Sequence, residues 1–324
     1  MTYRLPRRVA IREVGPRDGL QNEDLILATP DKIRLIDELS TTGLREIEAA
    51  SFVHPRSVPQ MADAADAFAG IRRVPGIAYS AIVPNVVGVQ RALAANVDAI
   101  QIFLSASESH NQSNVGMSIA ESLGQAADIA ELVRGAGKTF DAVLSVVFGC
   151  PFEGDVPLER ILDIAERLID LGAGQITFGD TTGMAHPLLV REVLLGFRAR
   201  FPGTPVRLHP HSARGAGLAN VLAALEVGVD RIDSSVGGIG GCPFAPGAPG
   251  NICTEDLAHL LHEMGIQTGI DLVRMVEVAR LTEQMLGHTL PGQTMKAGIC
   301  GHIPDGAPRA NASSSTLTKV PETL

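Results

Sequence analysis

Short β-branched runs alternate with amphipathic helical runs along nearly the whole chain, and this alternation limits its folds more than any other feature. The strand-like runs cover residues 9–14, 46–53, 77–83, 99–105, 139–148, 175–178, 205–209 and 231–236. Helical patterns lie between them at 30–40, 89–95, 119–133, 158–171, 187–201, 217–226 and 255–264. Pro30 and Pro157 stand near first helical turns, and Gly43, Gly70, Gly172, Gly228 and Gly265 mark stops. Eight evenly spaced βα units without a break in composition predict an α/β chain closed into a (β/α)₈ TIM barrel. An open doubly wound sheet normally places a glycine-rich phosphate turn after its first strand. Gly15-Pro16-Arg17-Asp18-Gly19 does not fit that pattern.

Such a barrel fills roughly 250 residues. The 324 residues therefore predict one domain over 1–300, including an extra C-terminal helix at 272–286. The Pro-, Ala-, Ser- and Thr-rich stretch 301–324 reads as a flexible tail. A formal charge of −9 gives no net pull toward nucleic acid or anionic membrane, and the lack of Trp argues against base stacking. Apolar runs such as 142–148 are far too short to span a bilayer, and residues 1–12 lack the apolar core of a secretory leader. Cysteines at 150, 242, 253 and 300 form no C-x-x-C pair, which excludes a zinc ribbon and argues against a disulfide framework. The expectation is a cytosolic protein without nucleic-acid or membrane partners.

Active sites of this fold lie at the C-terminal ends of the strands. Arg17 and Asp18 follow the first run, and Glu48 interrupts the apolar second one. Asp180 follows the sixth, His209-Pro210-His211 closes the seventh, and Asn251 follows the eighth. Alternate residues of a strand share a face, so His209 and His211 present two imidazoles in one direction. The first and seventh strands flank the eighth in a closed barrel, which brings Asp18 beside them, with Asn251 able to offer a carbonyl oxygen. Mixed nitrogen and oxygen ligation suits catalytic Mg²⁺ or Mn²⁺ better than structural zinc. The blander reading is a chance His-x-His pair.

Arg17 is either a surface ion pair with Asp18 or the cation that holds a developing enolate oxygen. Glu48 and Asp180 are inward acids that either orient Arg17 and water or form barrel-core ion pairs. Cys242 lies in a run with six glycines and three prolines between 237 and 250, where a thiol serves as acid or nucleophile or is inert.

Longer motifs then carry a resemblance. Val14-Gly15-Pro16-Arg17-Asp18-Gly19-Leu20-Gln21-Asn22-Glu23, Ser51-Phe52-Val53, Val58-Pro59-Gln60-Met61-Ala62-Asp63 and Gly149-Cys150-Pro151-Phe152-Glu153-Gly154 resemble the 3-hydroxy-3-methylglutaryl-CoA lyase family. So does Gly238-Ile239-Gly240-Gly241-Cys242-Pro243-Phe244-Ala245, continuing to Gly250-Asn251 and Thr254-Glu255-Asp256-Leu257, and the likeness runs from about residue 9 to 286. It implies a metallolyase that cleaves a tertiary 3-hydroxyacyl-CoA thioester into acetyl-CoA and a keto acid. It also implies a homodimer. Asp18, His209, His211 and Asn251 correspond to metal ligands, Arg17 to the enolate-stabilising arginine and Cys242 to the loop acid. Glu48 and Asp180 correspond to supporting acids. On this reading Gln21 meets substrate, and Asn111, Gln112 and Asn114 meet CoA across the barrel top.

The chain departs from the family after its second histidine. Asp-Thr is usual there, but this chain reads Ser212-Ala213-Arg214-Gly215. Arg214 either binds an extra substrate or CoA anion or points to solvent. Two rivals follow. A Claisen-type synthase on the same barrel would carry a Gly-Glu-Arg-x-Gly-Asn stretch where the Cys242 run stands, and would append a further domain. A non-catalytic metal- or CoA-binding protein would not need Arg17, Asp18 and Cys242.

Overall fold

The structure is a computed structural model that describes residues 5–241 and 250–300. Its strands are β1 (Ala10–Glu13), β2 (Glu46–Ser51), β3 (Ala78–Ile82), β4 (Ala99–Ser105), β5 (Phe140–Ser145), β6 (Ile176–Gly179), β7 (Val206–His209) and β8 (Arg231–Ser234). All pair in parallel, in sequence order, and β1 closes on β8 with Ala10 opposite Arg231 and Glu13 opposite Ser234. The predicted barrel is the observed one.

Helices α1 (Thr29–Leu39), α2 (Ala64–Gly70), α3 (Val86–Ala94), α4 (Glu108–Val115), α5 (Ile119–Gly135), α6 (Leu158–Asp170), α7 (Pro187–Arg200) and α8 (Gly217–Glu226) clothe the barrel. After β8 come α9 (Thr254–Glu263), α10 (Leu272–Leu286) and the short α11 (Thr294–Ala297). The sequence pattern did not reveal α2 or α4, whose seven and eight residues are too few for a clear period. In α6 the recurring apolar positions Ile161, Leu162, Ile164, Ala165 and Leu168 form one buried stripe against the barrel. Each large side chain there contributes ~1.5–3 kcal/mol by leaving water, and Leu168→Ala would cost ~2–5 kcal/mol.

Strand alternation divides the residues sharply. Outward positions such as Ile100, Ile102, Leu144, Phe178 and Leu208 are buried under the helices, whereas inward positions carry Arg12, Glu48, Ser80, Gln101, Arg207, His209 and Asp233, all buried. Arg12 grips Asp233 through Nε and Nη2 at 2.9 and 2.7 Å, and Arg207 reaches Asp233 at 3.3 Å and Glu46 at 2.5 Å. Typical barrels fill this space with Val, Ile and Leu. Here ion pairs fill it.

Two strands end earlier than their apolar runs. The fifth run extends to residue 148, yet β5 stops at Ser145 because Val146 adopts φ +53°, costly for a β-branched residue. Its N–H leaves the ladder for Thr181 Oγ1 at 3.2 Å. In β2 the register shifts between Glu48 and Ala50, which re-aims the strand end beside Glu48. Among the described residues no helix is long and apolar enough to cross a membrane. The predicted tail, 301–324, and Cys242 lie outside the described residues.

Candidate metal centre and active site

The site is assembled where β1, β7 and β8 meet. After Val14 the chain makes a single wide helical turn, Gly15–Gly19, that carries Arg17 and Asp18 over the barrel mouth. Gly19 has no room for a side chain, since a Cβ there would stand 2.4 Å from Ile239. His209 ends β7, and His211 sits two residues on, bridged to Asn251. One ligand atom from each of Asp18, His209 and His211 lies within 4.8 Å of the others. His209 Nε2 stands 3.1 Å from His211 Nε2 and 3.7 Å from Asp18 Oδ2. Asn251 abuts the group, its Nδ2 donating to Asp18 Oδ2 at 2.8 Å.

The electrostatics suit a cation. Burial pushes the Asp18 carboxyl up, but Arg17, His209, His211 and the Asn251 bond outweigh it and hold Asp18 well below the usual carboxylate range. Burial, reinforced by His209, lowers His211 to about 3, which leaves a neutral ring with a free lone pair. Burial also lowers His209, but its bond to the accepting Asp233 carboxylate and the charges of Asp18 and Asp233 outweigh it and raise this ring. Two imidazole nitrogens and an anionic oxygen therefore face one point, with Asp18 held by Arg17 and Asn251 and His209 Nδ1 held by Asp233, a donor set that fits a divalent ion.

Arg17 is fixed from two sides. Nη1 donates to Asp18 Oδ1 at 2.6 Å, and Nε donates to Glu48 Oε1. The expected orienting role of Glu48 thus has a direct contact behind it. Asp180 does not share that role. Its Oδ1 accepts the Ala185 N–H at 3.0 Å, so it closes the loop after β6 instead. Burial outweighs such bonds and raises Asp180 to about 7.

A cavity of about 520 Å³ opens over the centre, lined among others by Arg17, Asp18, Gln21, Asn114, Thr181, His209 and His211. Gln21 and Asn114 are therefore placed to meet a ligand. Asn111 is not. It is fully buried, with Oδ1 accepting from Ser105 N–H and Nδ2 donating to Met117 O and Ser122 Oγ, so it staples α4 to its surroundings. Gln112, one residue on, is exposed and is not among the lining residues. Arg214 also stands apart from the cavity lining. The residue is exposed, as the solvent-facing alternative expects, but its Nη1 donates to the carbonyls of Thr182 and Gly183, both at 2.9 Å, and does not face the cavity.

Asp233 was missed. Its Oδ2 lies 3.2 Å from His209 Nδ1 while Arg12 holds the same carboxylate, and both residues line the cavity floor. The signal that singled out Glu48, a charge on an inward strand position, was present at Arg12 and Asp233 too.

Comparison with known proteins follows the same outline. The family model described as HMGL-like matches residues 8–282. A hydroxymethylglutaryl-CoA lyase of Bacillus subtilis is 44% identical over 291 residues, 90% of this chain and 97% of that protein. The mitochondrial hydroxymethylglutaryl-CoA lyase of Mus musculus is 42% identical over 90% of each chain. Among solved structures, the Bacillus subtilis HMG-CoA lyase superposes with a TM-score of 0.89 at 44% identity, covering 90% of this chain and 98% of that one. An HMG-CoA lyase from Acinetobacter baumannii, in complex with coenzyme A and 3-methylmalate, gives 0.87 at 42% identity, covering 93% and 98%.

Proposed function

The chain belongs to the HMGL-like family, and on that premise we propose that it is a carbon–carbon lyase cleaving 3-hydroxy-3-methylglutaryl-CoA, or a close 3-hydroxy-3-substituted acyl-CoA, into acetyl-CoA and a keto acid such as acetoacetate. The observation that carries this reading is Arg17, bonded to Glu48 and Asp18 and lining one cavity with His209 and His211. An arginine so held has the geometry to meet an enolate oxygen beside a Lewis-acid site.

Asp18, His209, His211 and Asn251 would hold the divalent ion. When bound, it supplies Lewis-acid polarisation and brings the tertiary hydroxyl's pKa toward the range of a weak base such as Asp18. Asp18, or a water it holds, accepts the hydroxyl proton. The bond between the hydroxyl-bearing carbon and the thioester α-carbon breaks, and its electron pair becomes the acetyl-CoA enolate. Arg17 stabilises that oxygen, kept in place by Glu48. Cys242 delivers the proton that completes acetyl-CoA, and Cys242→Ser should lower kcat far more than it alters KM.

CoA would lie across the barrel mouth, with Gln21 and Asn114 among its contacts or those of the acyl group. A donor set of two imidazoles, a carboxylate and an amide, without thiolate, favours Mg²⁺ or Mn²⁺. A homodimer and a cytosolic location rest on the resemblance and the composition, and light scattering tests the first. The forward Claisen reading is less well supported, because relatives matched over nine-tenths of both lengths are named as lyases. Purified protein with Mn²⁺ should release acetyl-CoA from a 3-hydroxy-3-substituted acyl-CoA panel, and EDTA should stop it. No acetyl-CoA from any member would remove the proposal.

A further inference from the structure

Two buried acids stand outside the metal centre and take no part in the chemistry above. Glu13, the last residue of β1, turns away from the barrel interior toward the start of α9. Its Oε1 accepts the backbone N–H of Gly15 at 2.7 Å and that of Val236 at 2.9 Å, while Oε2 accepts the Thr254 hydroxyl at 2.6 Å. Glu255, near the start of α9, is equally buried, and its Oε2 accepts the N–H of Gly237 at 3.0 Å. Two consecutive amides of the turn after β8 are thus held by two acids from different elements.

Each segment caught in this way carries a proposed site residue close by. Gly15 precedes Arg17 by two positions and Asp18 by three. Thr254 follows Asn251 by three, and the turn at Val236–Gly238 runs on to Gly240 and Gly241, directly before Cys242. The Gly250 N–H donates to Gly240 O at 2.8 Å, so the chain on the two sides of residues 242–249 meets in a closed stem.

The packing leaves little slack. A Cβ on Gly15 would stand 2.6 Å from Glu13 Oε1, and one on Gly292 would stand 2.3 Å from Glu255 Oε1. Gly237 sits at φ +63°, where a Cβ would also meet Leu290 at 2.5 Å.

We propose that Glu13 and Glu255 are positioning residues that bind the base of the segment entering at Cys242 to the Arg17–Asp18 turn and to the start of α9. The inference rests on the reading that Arg17, Asp18, Asn251 and Cys242 work as one site. A carboxyl suits the task because its two oxygens can accept from several segments at once. Turn amides buried without partners would otherwise favour opening.

The charge on these acids is not what the clamp requires. Burial raises Glu13 to about 7, aided by Asp233 of β8, and Glu255 to about 8, aided by Asp256 and Glu13. A neutral amide can serve in Glu13's place. Its oxygen accepts from Gly15 and Val236, and its NH₂ donates to Thr254 Oγ1, whose proton turns to Ser234 Oγ at 2.8 Å. Methionine has similar length and cannot accept these bonds.

Hydrogen exchange followed by mass spectrometry, together with steady-state kinetics, tests the assignment. In Glu13→Met and Glu255→Met, exchange across residues 234–241 should rise about tenfold, the equivalent of ~1.4 kcal/mol, while β4 and β5 stay at the wild-type rate. In Glu13→Met, kcat should fall about tenfold with KM changed less than about threefold, and Glu13→Gln should restore both rate and protection. Should Glu13→Met not fold, Glu255→Met carries the same expectation through the Gly237 bond alone. Wild-type exchange and kcat in the Met variants would overturn the proposal. So would faster exchange throughout the barrel, or a Glu13→Gln protein as impaired as Glu13→Met. The exchange readout needs no turnover, so failure of the clamp and failure of the lyase reading remain distinguishable.

Discussion

Asp233 Oδ2 stands 3.2 Å from His209 Nδ1, reaching from β8 to the end of β7. The contact turns His209 Nε2 toward Asp18 and His211, and Arg12 and Arg207 hold the carboxylate from below. A carboxylate behind a histidine ligand fixes both the ring and its tautomer. The orientation of the candidate metal centre is thus set by charges in the barrel floor.

Asp233→Asn should therefore weaken Mn²⁺ binding about 10–100-fold while the far-ultraviolet circular dichroism stays unchanged. Calorimetric titration reads the affinity. An affinity equal to wild type would show that His209 needs no such support.

His211→Ala should remove both turnover and the Mn²⁺ titration, because it deletes one of three converging donors. Its position at the barrel mouth makes little demand on the core, so the thermal midpoint should move by only a few degrees (roughly 1 kcal/mol or less). Unchanged metal affinity would exclude His211 as a ligand.

Arg17→Lys should lower kcat about 10²–10³-fold with a much smaller change in KM. An ammonium carries the charge but cannot span Glu48 and Asp18 with a planar fork. A lysine variant with wild-type kcat would mean that a point charge suffices.

Arg214→Ala should leave KM and the ranking of acyl-CoA substrates within about twofold, since the guanidinium is engaged by Thr182 O and Gly183 O. The loss should instead appear as roughly 1 kcal/mol of stability. A raised KM that depends on carboxylate placement would restore an anion-binding role.

Glu255 gives the fold a pH dependence of unusual sign. Burial, with Asp256 and Glu13, raises it from 4.5 to about 8. Between those values the folded chain holds a proton that the unfolded chain has released, so this contribution to stability falls as pH rises. Glu255→Gln should gain relative to wild type at pH about 8.5 compared with about 5.5, by on the order of 1 kcal/mol or more. Thermal melts at both values decide it, and parallel shifts would rule the group out.

The barrel and its working rim were legible because both depend on period. Residues 209 and 211 share a strand face whatever surrounds them, and eight βα repeats can close only by bringing the first and last strands together. Asp18 and the two histidines could therefore be joined on paper. The helices at 64–70 and 108–115 were not legible, being too short to repeat a pattern. That loss mattered for the CoA contacts, because Asn111, Gln112 and Asn114 lie on the second of them, and only its docking decides which faces the cavity.

By itself the sequence determined the strand order, the end of the barrel that bears chemistry, and the residue types gathered there. Local pattern governs each of these. Only the tertiary structure decided the partners of the charged side chains: Glu48 with Arg17, Asp233 with His209, Arg214 with the loop after β6, and Glu13 with Gly15, Val236 and Thr254. These contacts cross 24 to 241 positions of chain, apart from the one to Gly15. A hydrogen bond is settled by angles and ångströms that no linear spacing encodes, and a buried charge takes whichever donor the closed barrel brings within reach.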